Sequence, residues 1–410
     1  MKSFFFPFLF IALICFSACK PSKTTLENGI WRGVFQTDST VEIPFNFEIY
    51  DSAGTKQIAF INGKERLNIN KLELKGDSVF IETPMYETEI RAKLSSEGMK
   101  GTWIRHFPDR VQHMPFEATS NTSYRFVKEP KEVKGNITGR WSVLFRKDNS
   151  SDTSLAIGEF VQEGNQVRGT FLTNYGDYRF LSGDIDGDIL SLSAYAGSSP
   201  SLFVATISEE GIVGDMYSGP GNHSEWEARK DENAMLADAY NMTRLKPAYK
   251  TLSFKFQDTE GNMVSLNDDR FKDKVVILQF LGSWCPNCMD ETAFLSPFYK
   301  EYKDKGVEII GLAYERYAEP DRAKRAVTNL IDRFQVTYPV LLTGFSNKPG
   351  EVLKSLPALE NFNAFPTTIV IDKKGLVRTI HSGFDGPATG EAYTTYTAEF
   401  EASINQLLSE

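Results

Sequence analysis

The chain has 410 residues, which at roughly 100–200 residues per domain predicts two or three domains. It is 41% hydrophobic and 24% charged, with 31 Phe and 16 Tyr, so it can bury cores and global disorder is excluded. The formal net charge of −9, with no basic run, excludes nucleic acid as a bulk electrostatic partner. The cysteines fall in two pairs, Cys15 with Cys19 and Cys285 with Cys288, which excludes a disulfide-stapled scaffold. His106, His113, His223 and His381 offer little for a metal site, and no metal or other cofactor is expected.

Met1-Lys2 is followed by Ser3, an apolar run over residues 4–16, and Ser17-Ala18-Cys19. A positive start, a short apolar stretch and small residues predict a secretory signal peptide over residues 1–18. The run falls short of the roughly 20 residues a spanning helix needs. Phe16-Ser17-Ala18-Cys19 resembles a bacterial lipobox, with Phe16 standing where Leu is usual. On that reading Cys19 is lipidated and Cys15 is removed; the other reading is ordinary cleavage near Ala18. Several acyl chains, at about 0.8 kcal/mol per buried CH₂, would hold the protein firmly to a membrane. Residues 19–28 are then a polar tether.

Residues 29–123 and 136–230 are an internal repeat. Gly29-Ile30-Trp31-Arg32-Gly33-Val34-Phe35 matches Gly139-Arg140-Trp141-Ser142-Val143-Leu144-Phe145, an offset of 110. Three later blocks follow in the same order at offsets of 110 to 113, ending with His113 to Ala118 against His223 to Ala228. Period-two stretches such as Phe45-Asn46-Phe47-Glu48-Ile49-Tyr50, broken by turns such as Lys75-Gly76-Asp77, predict antiparallel meanders that form a barrel or a sandwich. The opening Gly-x-Trp is reminiscent of lipocalin-type barrels. Trp31 and Trp141 read as core residues rather than cavity lining, and His113 and His223 as repeated framework. Recognition, spacing and dimerisation stay open as roles for the repeats. Residues 231–250 read as a linker, with a short helix predicted over 232–240.

From residue 251 to 410 the pattern is mixed. Strands are predicted over 254–258, 264–266, 274–281, 307–313, 338–342, 367–371 and 377–381. Helices are predicted over 287–305, 322–334 and 388–408, and a long loop over 344–357. Strands alternating with helices and ending in a hairpin predict an α/β sheet covered on both faces.

Trp284-Cys285-Pro286-Asn287-Cys288 sits at a strand-to-helix turn. The first thiol then lies at the helix N-terminus, where unpaired N–H groups favour a thiolate. The second, one turn on, is placed to displace a mixed disulfide. Pro286 suits the first helical position, where a missing N–H is no loss. A structural zinc site would need two further ligands, and His381 alone cannot supply them. A structural disulfide closing so short a loop constrains the unfolded chain little, so redox chemistry is the better reading.

The stretch Val275 to Glu291 resembles the active-site strand and helix of thioredoxin-like proteins, within them the TlpA/ResA group of membrane-tethered thiol–disulfide oxidoreductases, related to the AhpC/TSA proteins. Trp284, Cys285, Cys288 and Glu291 meet the Trp-Cys-x-x-Cys-x-x-Glu pattern. Phe362 to Gly375 resembles the cis-proline strand and hairpin, with Ala364 where Gly is usual. The resemblance implies that Pro366 is cis and sets the Phe365 backbone beside the cysteines; an ordinary strand-entry proline is the alternative. Glu291, one helical turn past Cys288, reads either as a proton acceptor or as a carboxylate that simply favours the helix N-terminus, and the resemblance implies that it modulates the thiols. Gln279 stands where thioredoxins carry a buried acid and cannot take up a proton, so Cys288 must rely on water, on Glu291 or on another acid such as Glu315, for which a surface role is as good a reading.

The resemblance implies a lipoprotein of the cell envelope facing the periplasm, with protein disulfides as substrates and a membrane thiol–disulfide donor as partner, acting as a reductant. A ligand-binding or adhesion lipoprotein, a disulfide isomerase and a thiol peroxidase are the rival functions.

Overall fold

A computed structural model describes residues 25–410 apart from residues 70, 84, 85, 149 and 318. The predicted signal peptide and Cys19 lie outside the described residues. Two antiparallel β sheets precede a third, α/β domain.

In the first sheet, Gly29–Gln36 pairs with both Glu42–Ser52 and Val111–Ser120, so the meander rolls up on itself. Among the described residues the seam that stays open lies between Glu65–Ile69 and Lys71–Lys75. The second sheet closes. Gly139–Lys147 pairs with Thr153–Glu163 and Asn222–Lys230, and Thr153–Glu163 pairs with Gln166–Thr173.

The repeat is exact in structure at the first strand. Period-two alternation turns Trp31 and Phe35 inward in one sheet, and Trp141 and Phe145 inward in the other. Each indole N–H donates to the carbonyl four residues back, Trp31 to Glu27 at 3.1 Å and Trp141 to Ile137 at 2.8 Å. The core reading of both tryptophans holds. Tyr195 of the second sheet enters the aromatic core of the first, with ring centroids 4.8 Å from Phe35 and Phe60 and 4.9 Å from Phe45. Its hydroxyl accepts from Trp103 Nε1 at 3.1 Å.

The linker differs from expectation. Residues 232–240 form turns rather than a helix. Asp231 accepts from the Asn233 N–H and Asp238 from the Tyr240 N–H, so these side chains draw the backbone into local turns that compete with helix. Arg244–Leu245 then pairs with Leu359–Glu360 of the third domain.

The third domain's sheet has Val275–Leu281 at its centre, parallel to Val307–Ala313 and antiparallel to Thr367–Ile371. The central strand is buried throughout, as its unbroken Val-Val-Ile-Leu run requires. Four helices flank the sheet: α1 (Pro286–Tyr302), α2 (Pro320–Phe334), α3 (Pro349–Ser355) and α4 (Glu391–Ser409). α3 occupies the stretch expected as loop. Apolar cores lie on both faces, one around Leu295, Tyr302 and Ile404, the other around Leu278, Leu312 and Phe362.

The three units are tied together by polar contacts. Arg125 is buried between the sheets and donates to Asn46 Oδ1 at 3.1 Å and the Ser193 carbonyl at 2.8 Å. Arg322 of α2 pairs with Glu87 of the first unit at 3.0 Å.

Candidate active site

The central strand ends at Leu281, and α1 begins at Pro286 with Cys285 as its N-cap. Gly282 is required in the turn: a Cβ there would lie 2.1 Å from Trp284 Nε1. The indole N–H donates to the Tyr314 carbonyl at 3.0 Å, and the ring meets Phe365 edge-on at 5.6 Å.

Both thiols are buried and free. Cys285 Sγ accepts from the Cys288 N–H at 3.2 Å and so caps the helix start. Its S–H reaches the Phe365 carbonyl at 3.5 Å. The Phe365–Pro366 peptide bond is cis. Burial, then the adjoining Cys285 sulfur, push the Cys288 thiol well above the ordinary thiol range. The two cysteines therefore differ: the first sulfur caps the helix, the second is held as a thiol.

Beneath α1 lies a buried polar network. Gln279 Nε2 donates to Glu291 Oε2 at 2.9 Å and to Thr292 Oγ1 at 3.0 Å, and Gln279 Oε1 accepts from Tyr338 at 3.1 Å. Thr368 donates to the other Glu291 oxygen, and Thr292 donates to the Cys288 carbonyl at 2.7 Å. Glu291 is 1% exposed, and burial pushes its carboxyl up to about 7 against the bonds from Thr368 and Gln279. It sits on the buried side of α1 instead of at the exposed helix start. Glu315 is 4% exposed, contrary to a surface role, and accepts from the Ser283 N–H at 2.8 Å and hydroxyl at 2.7 Å. Burial raises it too, to about 7.

The second β unit reaches the residues between the cysteines. Asn287 Nδ2 donates to the Asp177 carbonyl at 3.2 Å, an approach that Gly176 permits, since a Cβ there would lie 2.1 Å from that amide. Arg179 pairs with Glu65 of the first unit at 2.5 Å and with Asp290 of α1, joining all three units two residues beyond Cys288. Burial pushes Asp290 up to about 6, with Arg179 pulling it back. Asp177, Arg179 and Glu65 lie over 100 residues from the motif, and no local pattern marks them. A cleft of about 480 Å³ opens alongside, lined by Tyr86, Arg179, Met289, Asp290 and Phe334 among others. Among the described residues no group of His, Cys, Asp and Glu is arranged to hold a metal ion.

Strand, Cys-x-x-Cys turn, helix and cis-proline loop define a thioredoxin-fold domain. Residues 246–395 match the Redoxin family. The thiol–disulfide oxidoreductase ResA of Bacillus thuringiensis subsp. konkukian is 35% identical over 125 residues, which cover 30% of this chain and 63% of that one. The thioredoxin-like protein YneN of Bacillus subtilis is 28% identical over 130 residues, 32% of this chain and 68% of its own. Among solved structures, a thiol:disulfide interchange protein of Chlorobium tepidum aligns over 40% of this chain and 97% of its own, with 22% identity and a TM-score of 0.30. A thiol–disulfide oxidoreductase of Bacteroides fragilis aligns over 37% and 99%, with 21% identity and a TM-score of 0.29. The C-terminal domain is thus TlpA/ResA-like, while the chain spans under two thirds of the length of the ResA relative it matches.

Proposed function

We propose that the chain is a thiol–disulfide oxidoreductase that reduces disulfides in proteins of the cell envelope, held to a membrane through a lipid on Cys19. The observation that carries the reading is the asymmetry of the two thiols. Cys285 caps α1 and accepts from the Cys288 N–H, while Cys288 is buried with a raised thiol.

In the first step the Cys285 thiolate attacks one sulfur of the substrate disulfide. The Cys285–substrate bond forms, the substrate S–S bond breaks, and the departing sulfur takes up a proton. Cys288 then loses its proton and attacks Cys285 Sγ. The second substrate sulfur leaves as a thiol, and the protein is oxidised to a Cys285–Cys288 disulfide. Glu291, buried one turn along and poised near neutrality, is the acceptor we assign to the Cys288 proton, through an intervening water. Gln279, Thr292 and Thr368 hold it in place. The Phe365 backbone lines the site where an extended substrate would lie, with Trp284 as its wall and Pro286 and Asn287 setting the turn. A membrane thiol–disulfide donor would return the protein to the dithiol. Among the described residues no helix is long and apolar enough to cross a membrane.

Mixing the prereduced protein with insulin tests the activity without any donor. Wild type should become oxidised as insulin is reduced; a Cys285→Ser protein that reduced insulin at the wild-type rate would overturn the reading.

A further inference from the structure

Three guanidinium groups gather on one aromatic ring beside the active-site turn. The Phe107 ring of the first β unit has Arg110 at 4.5 Å, Arg105 at 4.7 Å and Arg316 at 5.5 Å from its centroid. Arg316 also lies 4.6 Å from the Trp284 ring, the residue next to Cys285. The Tyr317 hydroxyl donates to the His106 carbonyl at 3.4 Å, which fastens the two contributing segments together.

Like charges in such proximity repel, and the cation–π contacts with Phe107 and Trp284 work against that repulsion. Arg110 donates to its neighbour Asp109 at 3.2 Å, an exposed pair, and the other nearby carboxylates are committed elsewhere. Glu87 is held by Arg322, Glu315 by Ser283, and Glu89 by Arg91 and His106. Among the described residues, neither Arg105 nor Arg316 has a carboxylate within ion-pair distance. Arg105 is only 7% exposed and donates to the Ser199 hydroxyl at 2.6 Å, and the Arg316 side chain donates no hydrogen bond among the described residues. Arg125, the other buried arginine without an acidic partner, differs because it spends its donors on Asn46 and backbone carbonyls. Arg105 and Arg316 therefore keep unspent, charged donors in a partly desolvated place, where a carboxylate would be bound most strongly. The surrounding protein carries a net charge of −9, so the patch is a local exception to a repulsive field.

We propose that Arg316, Arg110 and Arg105 form a subsite for acidic residues flanking the disulfide of a protein substrate. This rests on the thiol–disulfide reading above and names its substrate class: extended segments with Glu or Asp close to the reacting cysteine. Trp284 and Phe107 supply the flat walls, and the guanidinium forks take the carboxylates.

The test uses the full chain, prereduced, and two synthetic peptides. Each has one internal disulfide and the same sequence, except that one carries Glu and the other Lys beside the cysteines. The second-order rate constant for oxidation of the protein by each peptide is measured by stopped flow. Wild type should prefer the acidic peptide by about ten-fold at low salt, and the preference should collapse toward unity at 0.5 M salt, as screening requires. Arg316→Gln should cut the preference at least three-fold. Arg110→Gln, at an exposed position where folding is not at risk, should lower it in the same direction. Equal rates for both peptides at low salt, or a preference untouched by both substitutions, would overturn the subsite while leaving the oxidoreductase reading intact. If wild type reduced neither peptide and not insulin, it is the oxidoreductase reading that would fall.

Discussion

Gln279 Nε2 and Glu291 Oε2 meet at 2.9 Å beneath the active-site helix, both shut off from solvent. The amide cannot titrate, so the proton chemistry of this pair belongs to Glu291, which burial raises to about 7. The release of product from the Cys285 mixed disulfide should therefore speed up as pH rises through about 7. Glu291→Gln should flatten that profile and slow release by about 10²-fold at neutral pH, within the usual range for a lost proton acceptor. Single-turnover rates across pH 5 to 9 check this.

The same burial makes stability depend on pH. The folded-state values of Glu291 and Glu315 lie above their ordinary value of 4.5. Their contribution is fully present below that value, where both states are protonated, and is lost as pH rises through about 7. One pKa unit is about 1.4 kcal/mol, so each group costs up to about 3 kcal/mol above neutrality. Urea unfolding should show Glu291→Gln gaining on wild type between pH 4 and pH 8.

Arg179 holds Glu65 and Asp290 from two other units. Arg179→Met leaves two buried carboxylates facing each other, and removing one partner of such a pair costs about 3–5 kcal/mol. Denaturant unfolding should show that loss, and limited proteolysis should cut between the second β unit and the thioredoxin-fold domain sooner than in wild type.

Tyr195 fills the aromatic core of the neighbouring sheet. Tyr195→Ala should cost about 3–5 kcal/mol, the range for deleting a buried aromatic. Tyr195→Phe keeps the ring but orphans the Trp103 N–H, at about 1–3 kcal/mol. Calorimetric unfolding of the two variants separates packing from hydrogen bonding.

The parts of this fold written locally were legible in the sequence. The 110-residue offset could be seen because the same Trp must close the same strand in each sheet. Val275 to Leu281 could be read as a buried strand because it is apolar on both faces, and the Cys-x-x-Cys turn follows it directly. What depends on distant contacts was not legible. Tyr195 reads as an ordinary strand-end tyrosine until the two sheets pack. Asp177 ends a two-residue strand of the second unit and Arg179 follows it, with nothing in the local sequence to tie them to Asp290 or Asn287. The failure at residues 232–240 has a local cause: helical spacing was there, but Asp231 and Asp238 bond their own following backbone. α3 was hidden by Pro349-Gly350, which reads as a turn although proline suits a first helical position. Only the fold turns Glu315 inward, toward Ser283, and nothing in its local sequence does.

The most direct measurement of the central claim is trapping with Cys288→Ala. With the second thiol gone, the account predicts that this variant accumulates a mixed disulfide on Cys285, seen by mass spectrometry as substrate joined to the peptide carrying that residue, and that dithiothreitol releases it. A variant that formed no adduct, while the Cys285→Ser protein kept wild-type disulfide-reducing activity, would contradict it.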